Sequence, residues 1–143
     1  MKVYFDTAYL GKCYWNEPDG EKVRRFAREA DGIWCSAIAI AEMACLAHRK
    51  VREGDATSRQ ASARRDLFLG DIDSGVIVTI PVTETILRKV DAATRKLPAG
   101  CYVRAMDALH LVTAADSGFA EVWTNDKHMI DAAAHFGVRG RSL

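Results

Sequence analysis

Strand-like and helix-like segments alternate along this 143-residue chain from end to end. That alternation predicts an α/β fold: a three-layer α/β/α sandwich around a mostly parallel sheet of about five strands. Two further observations support it. Nearly half of the residues are apolar, with few Gly and Pro, so the chain can bury a core and is not disordered. The length suits one domain, residues 1–143, which buries about two-thirds of its unfolded surface.

The elements follow in order. Residues 2–5 form a short β-prone run, and NEPDG (16–20) turns into a charged amphipathic helix over about 20–30. Tyr14 and Trp15, between them, suit either an interface or core packing. Residues 33–35 are a short apolar strand, and Ser36 is placed to cap a helix that runs to about Val51. After the break at EGDATS (53–58), a helix over about 58–73 is basic on one side and apolar on the other. Residues 76–80 are β-branched and follow Gly75, the pattern of a buried strand. Thr83 caps a helix to about Leu97, stopped by LPAG. Residues 102–116 make the next helix, 121–124 a strand, 126–136 a helix, and 138–141 a last short strand.

Composition sets further bounds. No apolar run approaches the ~20 residues of a membrane span, and the N-terminal segment reads as a strand rather than a signal peptide. Four cysteines lie far apart without a C-x-x-C pair, which predicts free thiols in a reducing cytosol, not a zinc site or a disulfide framework.

Within this pattern four acids stand in apolar surroundings: Asp6 after VYF, Glu42 between Ile38 and Leu46 on one helix face, Asp107 inside RAMDALHLV, and Asp126 after the strand-like EVWT. A buried ionised carboxylate costs several kcal/mol, so each needs a reason. Asp6 and Asp126 fall just past the carboxyl ends of strands, whereas Glu42 and Asp107 lie in early helical turns. In parallel sheets both kinds of position face the edge where ligands bind. Taken singly, Asp6 and Asp126 also read as helix caps, and Asp107 has Arg104 at i−3 for an ion pair. As a set they read as hard oxygen donors for Mg²⁺ or Mn²⁺ and hence for chemistry on phosphate. Thr7 and Asn125 are placed to support the acids by hydrogen bonds. His110 lies one turn beyond Asp107, either orienting it or packing at the core edge. Asp91, Asp116 and Asp131 read as surface acids, and His48, His128 and His135 lack ligand spacing. With the four acids set aside, 15 acidic residues remain against 20 basic ones, a mildly basic body suited to a polyanion.

Four segments, VYFDTAYL (3–10), SAIAIAEMA (36–44), RAMDALHLVTAA (104–115) and VWTNDKHM (122–129), together resemble the PIN domain, and more narrowly the VapC-type toxins of bacterial toxin–antitoxin pairs. The likeness spans nearly the whole chain; Ala8 departs from it, since the family often carries Ser after Asp-Thr. The resemblance implies a Mg²⁺- or Mn²⁺-dependent endoribonuclease that hydrolyses RNA by an activated water. It implies Asp6, Glu42, Asp107 and Asp126 as metal-binding catalytic acids, with Thr7 and Asn125 supporting; among them Asp6 and Asp107 are the first expected in direct contact, then Glu42, with Asp126 either direct or through water. It also implies a homodimer and a cognate VapB-like antitoxin whose tail covers the acidic pocket. The competing expectations are a catalytically inactive PIN-like module that binds RNA or protein, and a phosphoacceptor receiver domain. The receiver needs an acidic pair after the first strand, where Phe5-Asp6-Thr7 offers one acid.

Overall fold

The computed structural model describes all residues from Met1 to Leu143. Its elements are β1 (Lys2–Tyr4), α1 (Thr7–Tyr14), α2 (Gly20–Glu29), β2 (Gly32–Ser36), α3 (Ala39–Arg52), α4 (Ser58–Asp73), β3 (Ile77–Ile80), α5 (Glu84–Thr94), α6 (Ala105–Asp116), β4 (Glu121–Trp123), α7 (Lys127–Ala132), a 3₁₀ turn (Ala133–Phe136) and β5 (Arg139–Arg141).

All strand pairings are parallel. β1 pairs with β2 and β2 with β3, while β4 pairs with β5. The two sets meet along β1 and β4, where a Phe5–Trp123 bridge and the Asp6 N–H to Trp123 carbonyl bond (3.2 Å) join them. Strand order across the molecule is therefore 3-2-1-4-5. From β1 the chain steps outward to β2 and β3, then returns to the other side of β1 to build β4 and β5. The order reverses between β1 and β4, and that is where parallel sheets place their ligands.

Alternation along β1 sorts the core into two layers. Val3 and Phe5 enter a cluster with residues of α1 to α4, including Tyr9, Leu10, Val23, Met43 and Phe68. Tyr4 points the other way, among Leu109, Leu111, Met129 and Phe136 from α6, α7 and the 3₁₀ turn. The sheet is thus covered on both faces, as the three-layer expectation requires.

Several local expectations are corrected. Helix α1 has no counterpart in the sequence reading, because Gly11 stands at its centre and a glycine there signals a break. The structure shows what the glycine is for: a Cβ at Gly11 would lie 3.1 Å from the Leu46 side chain, so its absence lets α3 pack close. Tyr14 and Trp15 are both buried in the first cluster and belong to the core, not to an interface. Ser36 ends β2 rather than capping α3; its hydroxyl accepts the Ile38 N–H (3.2 Å) in the turn that precedes the helix. Helix α6 begins at Ala105, since residues 101–104 lie outside any helix and Arg104 is extended, and α5 ends at Thr94. The segment after Asp126 is an α-helix tightened into a 3₁₀ turn, closed by Gly137 at a positive φ of 79°. Thr57 caps α4 through a reciprocal capping box with Gln60. All four cysteines are free, and Cys45, despite its apolar neighbours, is exposed.

Candidate active site

Each of the four acids is delivered to the reversal point by a different piece of backbone. Asp6 follows β1 and caps α1: its Oδ1 accepts the Tyr9 N–H (2.7 Å), which fixes the carboxylate at the mouth of the seam. Asp126 does the same after β4, its Oδ1 accepting the N–H groups of His128 (2.8 Å) and Met129 (3.4 Å). Glu42 and Asp107 project from the first turns of α3 and α6. The capping roles that would have explained Asp6 and Asp126 away are real, but each cap occupies one carboxylate oxygen only.

The acids fall into two linked pairs. In the first, Glu42 Oε1 accepts the Thr7 hydroxyl (2.7 Å) and lies 2.9 Å from His110 Nε2. His110 is buried, and its Nδ1 faces the Tyr4 hydroxyl at 2.9 Å; that hydroxyl in turn accepts the Ser36 N–H (3.1 Å). The Nε2–H tautomer satisfies every member of this relay: Ser36 N–H to Tyr4, Tyr4 O–H to Nδ1, and Nε2–H to Glu42. Burial pushes the Glu42 carboxyl up, but the hydrogen bonds from His110 and Thr7, with the Arg104 guanidinium charge behind them, more than offset it and hold its pKa below the usual range. Asp6 has the opposite balance. Its burial outweighs His110, Thr124 and the Tyr9 N–H, nearby Glu42 adds repulsion, and its pKa is raised.

In the second pair, Arg104 bridges. Its Nε donates to Asp107 Oδ2 (2.9 Å) and a terminal nitrogen to Asp126 Oδ2 (2.9 Å). The sequence-predicted Arg104–Asp107 ion pair is therefore present, and Asp126 is its unforeseen third member. The bond to Asp107 and the neighbouring carboxylate charges raise the guanidinium pKa further.

Not every candidate takes the place foreseen. Thr7 holds Glu42. Asn125 is exposed at the rim, and the hydroxyl that organises this turn belongs to Thr124, which accepts the Asp126 N–H (3.0 Å). His110 serves Glu42 on a different helix, not Asp107 on its own. The sequence marked His110 but gave no means to pair it across 68 positions. Asp91 pairs with Arg95 on the surface of α5 and Asp116 with Lys89, both away from the four acids.

Beside Glu42 a groove of about 650 Å³ opens between α1, α3 and the start of α6. Ile38, Leu46 and Met106 line its apolar part, and Arg49 and Arg52 stand farther along α3. A second cavity, about 460 Å³, lies at the amino ends of β2 and β3 among Cys13, Arg24, Arg28 and Asp71, remote from the acids.

Known proteins share this arrangement of strands and helices. The PIN domain profile matches residues 3–135. The chain belongs to the PIN domain family. Among PIN relatives, Ribonuclease VapC46 of Mycobacterium tuberculosis (strain ATCC 25618 / H37Rv) is 29% identical over 138 residues, covering 95% of this chain and 93% of that protein. Three solved structures share the PIN fold at lower identity. VapBC2 from Rickettsia felis, bound to a DNA fragment from its promoter, aligns over 100% of this chain and 99% of that one, with TM-score 0.69 and 16% identity. VapC20 of Mycobacterium tuberculosis, a toxin that cleaves the sarcin–ricin loop, aligns over 96% and 98% with TM-score 0.69 and 17% identity. FitAB bound to the IR36 DNA fragment gives TM-score 0.71 at 18% identity, covering 99% of this chain and 94% of that one.

The donor chemistry of the four acids would suit a hard divalent cation. Carboxylate oxygens are what Mg²⁺ and Mn²⁺ select, Asp6 is buried without a basic side chain bonded to it, and a cation, the Arg104 guanidinium, already lies between two of the acids. In this arrangement no three of the acids, histidines and cysteines gather closely enough to hold an ion.

Proposed function

We propose that this chain is a divalent-metal-dependent endoribonuclease, the toxin of a type II toxin–antitoxin pair, hydrolysing RNA phosphodiester bonds with water. The observation that carries the reading is the convergence of Asp6, Glu42, Asp107 and Asp126 on the point where strand order reverses. The ribonuclease name of the 29% identical relative supports the activity, and the toxin–antitoxin complexes among the fold neighbours support a VapB-like antitoxin partner.

Asp6 and Asp107 would hold a Mg²⁺ or Mn²⁺ ion directly, with Glu42 and Asp126 completing the set. Such an ion supplies Lewis acidity and offsets the charge that builds on the phosphodiester in the transition state. The chain's own groups do the rest. Thr7 and His110 both bind Oε1 of Glu42, so that carboxylate is held in one orientation with Oε2 left free to accept a proton or a ligand. Its lowered pKa keeps it ionised at neutral pH for that task. Thr124 fixes the turn that carries Asp126. Along the groove, Arg49 and Arg52 offer charge to neighbouring phosphates, and Met106 and Leu46 offer an apolar surface to ribose and base. An antitoxin tail with a basic side chain entering the acidic pocket would block it by supplying the ion's charge without its chemistry. The homodimer that such toxins form is part of the same proposal.

Cleavage of an RNA panel tests the reading. Purified protein should cut RNA with Mg²⁺ or Mn²⁺ and lose that activity in EDTA, and Asp6→Ala or Asp107→Asn should lower the rate by about 10²-fold or more. Cleavage that persists in EDTA, or full activity in both variants, would contradict it.

A further inference from the structure

Arg104 stands where a cation is needed and is built to leave. It occupies the N-cap position of α6 in extended backbone, with no side-chain cap bond to hold it there. Its guanidinium makes two hydrogen bonds, one to Oδ2 of Asp107 and one to Oδ2 of Asp126, and to no other group. The carboxylates it bridges are 10% and 22% exposed, whereas Arg104 itself is 61% exposed. The acids are therefore fixed in the wall of the site, and the arginine lies over them from the solvent side.

One guanidinium carries a single charge against four carboxylates, and it reaches only two of them directly. A divalent ion brings twice the charge in a smaller volume. The two cations would also compete, since each draws on the same carboxylates and each repels the other at short range. We propose that Arg104 is the resident counter-cation of the acidic site: it neutralises Asp107 and Asp126 in the ion-free protein and must swing off that bridge for a divalent ion to load. The site then has two charge-balanced states, one closed by its own arginine and one holding the ion. The arginine sets the ion concentration at which the second replaces the first. The inference rests on the metal-site reading above, and its test separates the two.

Mn²⁺ binding to the full chain is measured by calorimetry and by water-proton relaxation for the wild type, Arg104→Gln, Arg104→Ala, Arg104→Lys and Asp107→Asn. Removing the competing charge should tighten Mn²⁺ binding about tenfold or more in both neutral variants. Arg104→Lys keeps a charge over the site and should stay within about threefold of the wild type. In EDTA the neutral variants should melt below the wild type, and Mn²⁺ should raise their melting temperature more than it raises the wild type's. If Mn²⁺ binds the wild type, is lost in Asp107→Asn, and binds the neutral variants no more tightly, the counter-cation role is overturned while the metal site stands. If neither wild type nor neutral variants bind Mn²⁺, both readings fail together.

Discussion

At the scale of single residues, the site is a balance between burial and partners, and its acids resolve that balance differently. Glu42 is paired, so its stability contribution is present above its ordinary value of 4.5 and is lost as pH falls through its lowered folded-state pKa. Asp6 runs the other way. Its folded-state pKa lies above 3.8, so the native state is penalised wherever Asp6 is ionised there, and the penalty fades as pH falls toward 3.8. Replacing it by Asn keeps the cap on Tyr9 and removes the buried charge. Asp6→Asn should therefore stabilise the ion-free protein by about 1 kcal/mol near pH 7 while abolishing function, the usual trade at active sites. The gain should shrink toward pH 4. Urea denaturation in EDTA at the two pH values measures it, and a loss of stability near pH 7 would show that Asp6 is an ordinary cap. The acids were legible in the sequence because charge inside apolar runs is visible along one strand or helix. Their partners were not: the Tyr4–His110–Glu42 relay joins three separate elements, and Arg104 reaches Asp126 across 22 positions. Local spacing carries no record of such pairs.

At the scale of elements, the strands and most helices were readable because each repeats its own period. Helix α1 was not, because its centre is a glycine chosen for packing against Leu46 on α3 rather than for propensity. The same device recurs at the far edge of the sheet. In β5 a Cβ on Gly140 would fall 2.5 Å from the Ile130 Cα on α7, a backbone atom that side-chain rotation cannot clear. Around it, Arg139 and Arg141 both pair with Glu121 on β4, and these charges guard the open strand edge. Gly140→Ala should force α7 away from the sheet and cost about 1–3 kcal/mol. Chemical denaturation checks this, and an unchanged midpoint would mean that α7 is free to shift. Because Asp126 caps α7, the same substitution should also disturb the site from a distance.

At the scale of the whole molecule, the site exists because two half-sheets meet. β1 feeds both hydrophobic layers by alternation, Val3 to one and Tyr4 to the other, and meets β4 where the chain, continuing through Phe5 and Asp6, pairs with Trp123. Just beyond that seam the ladder stops, and the two strand ends carry Asp6 and Asp126 into the opening. Helices α3 and α6, packed on opposite layers, add Glu42 and Asp107 from either side. No single layer supplies more than part of the acidic set, so the site is a property of the assembled sandwich. As proposed, these four carboxylates form one divalent-cation site. Anomalous diffraction from crystals soaked in Mn²⁺ tests it most directly. A Mn²⁺ peak coordinated by Asp6 and Asp107 is expected, with the Arg104 guanidinium displaced from its bridge. A crystal saturated with Mn²⁺ that shows no peak among the four acids, or shows its ordered ion elsewhere, would contradict it.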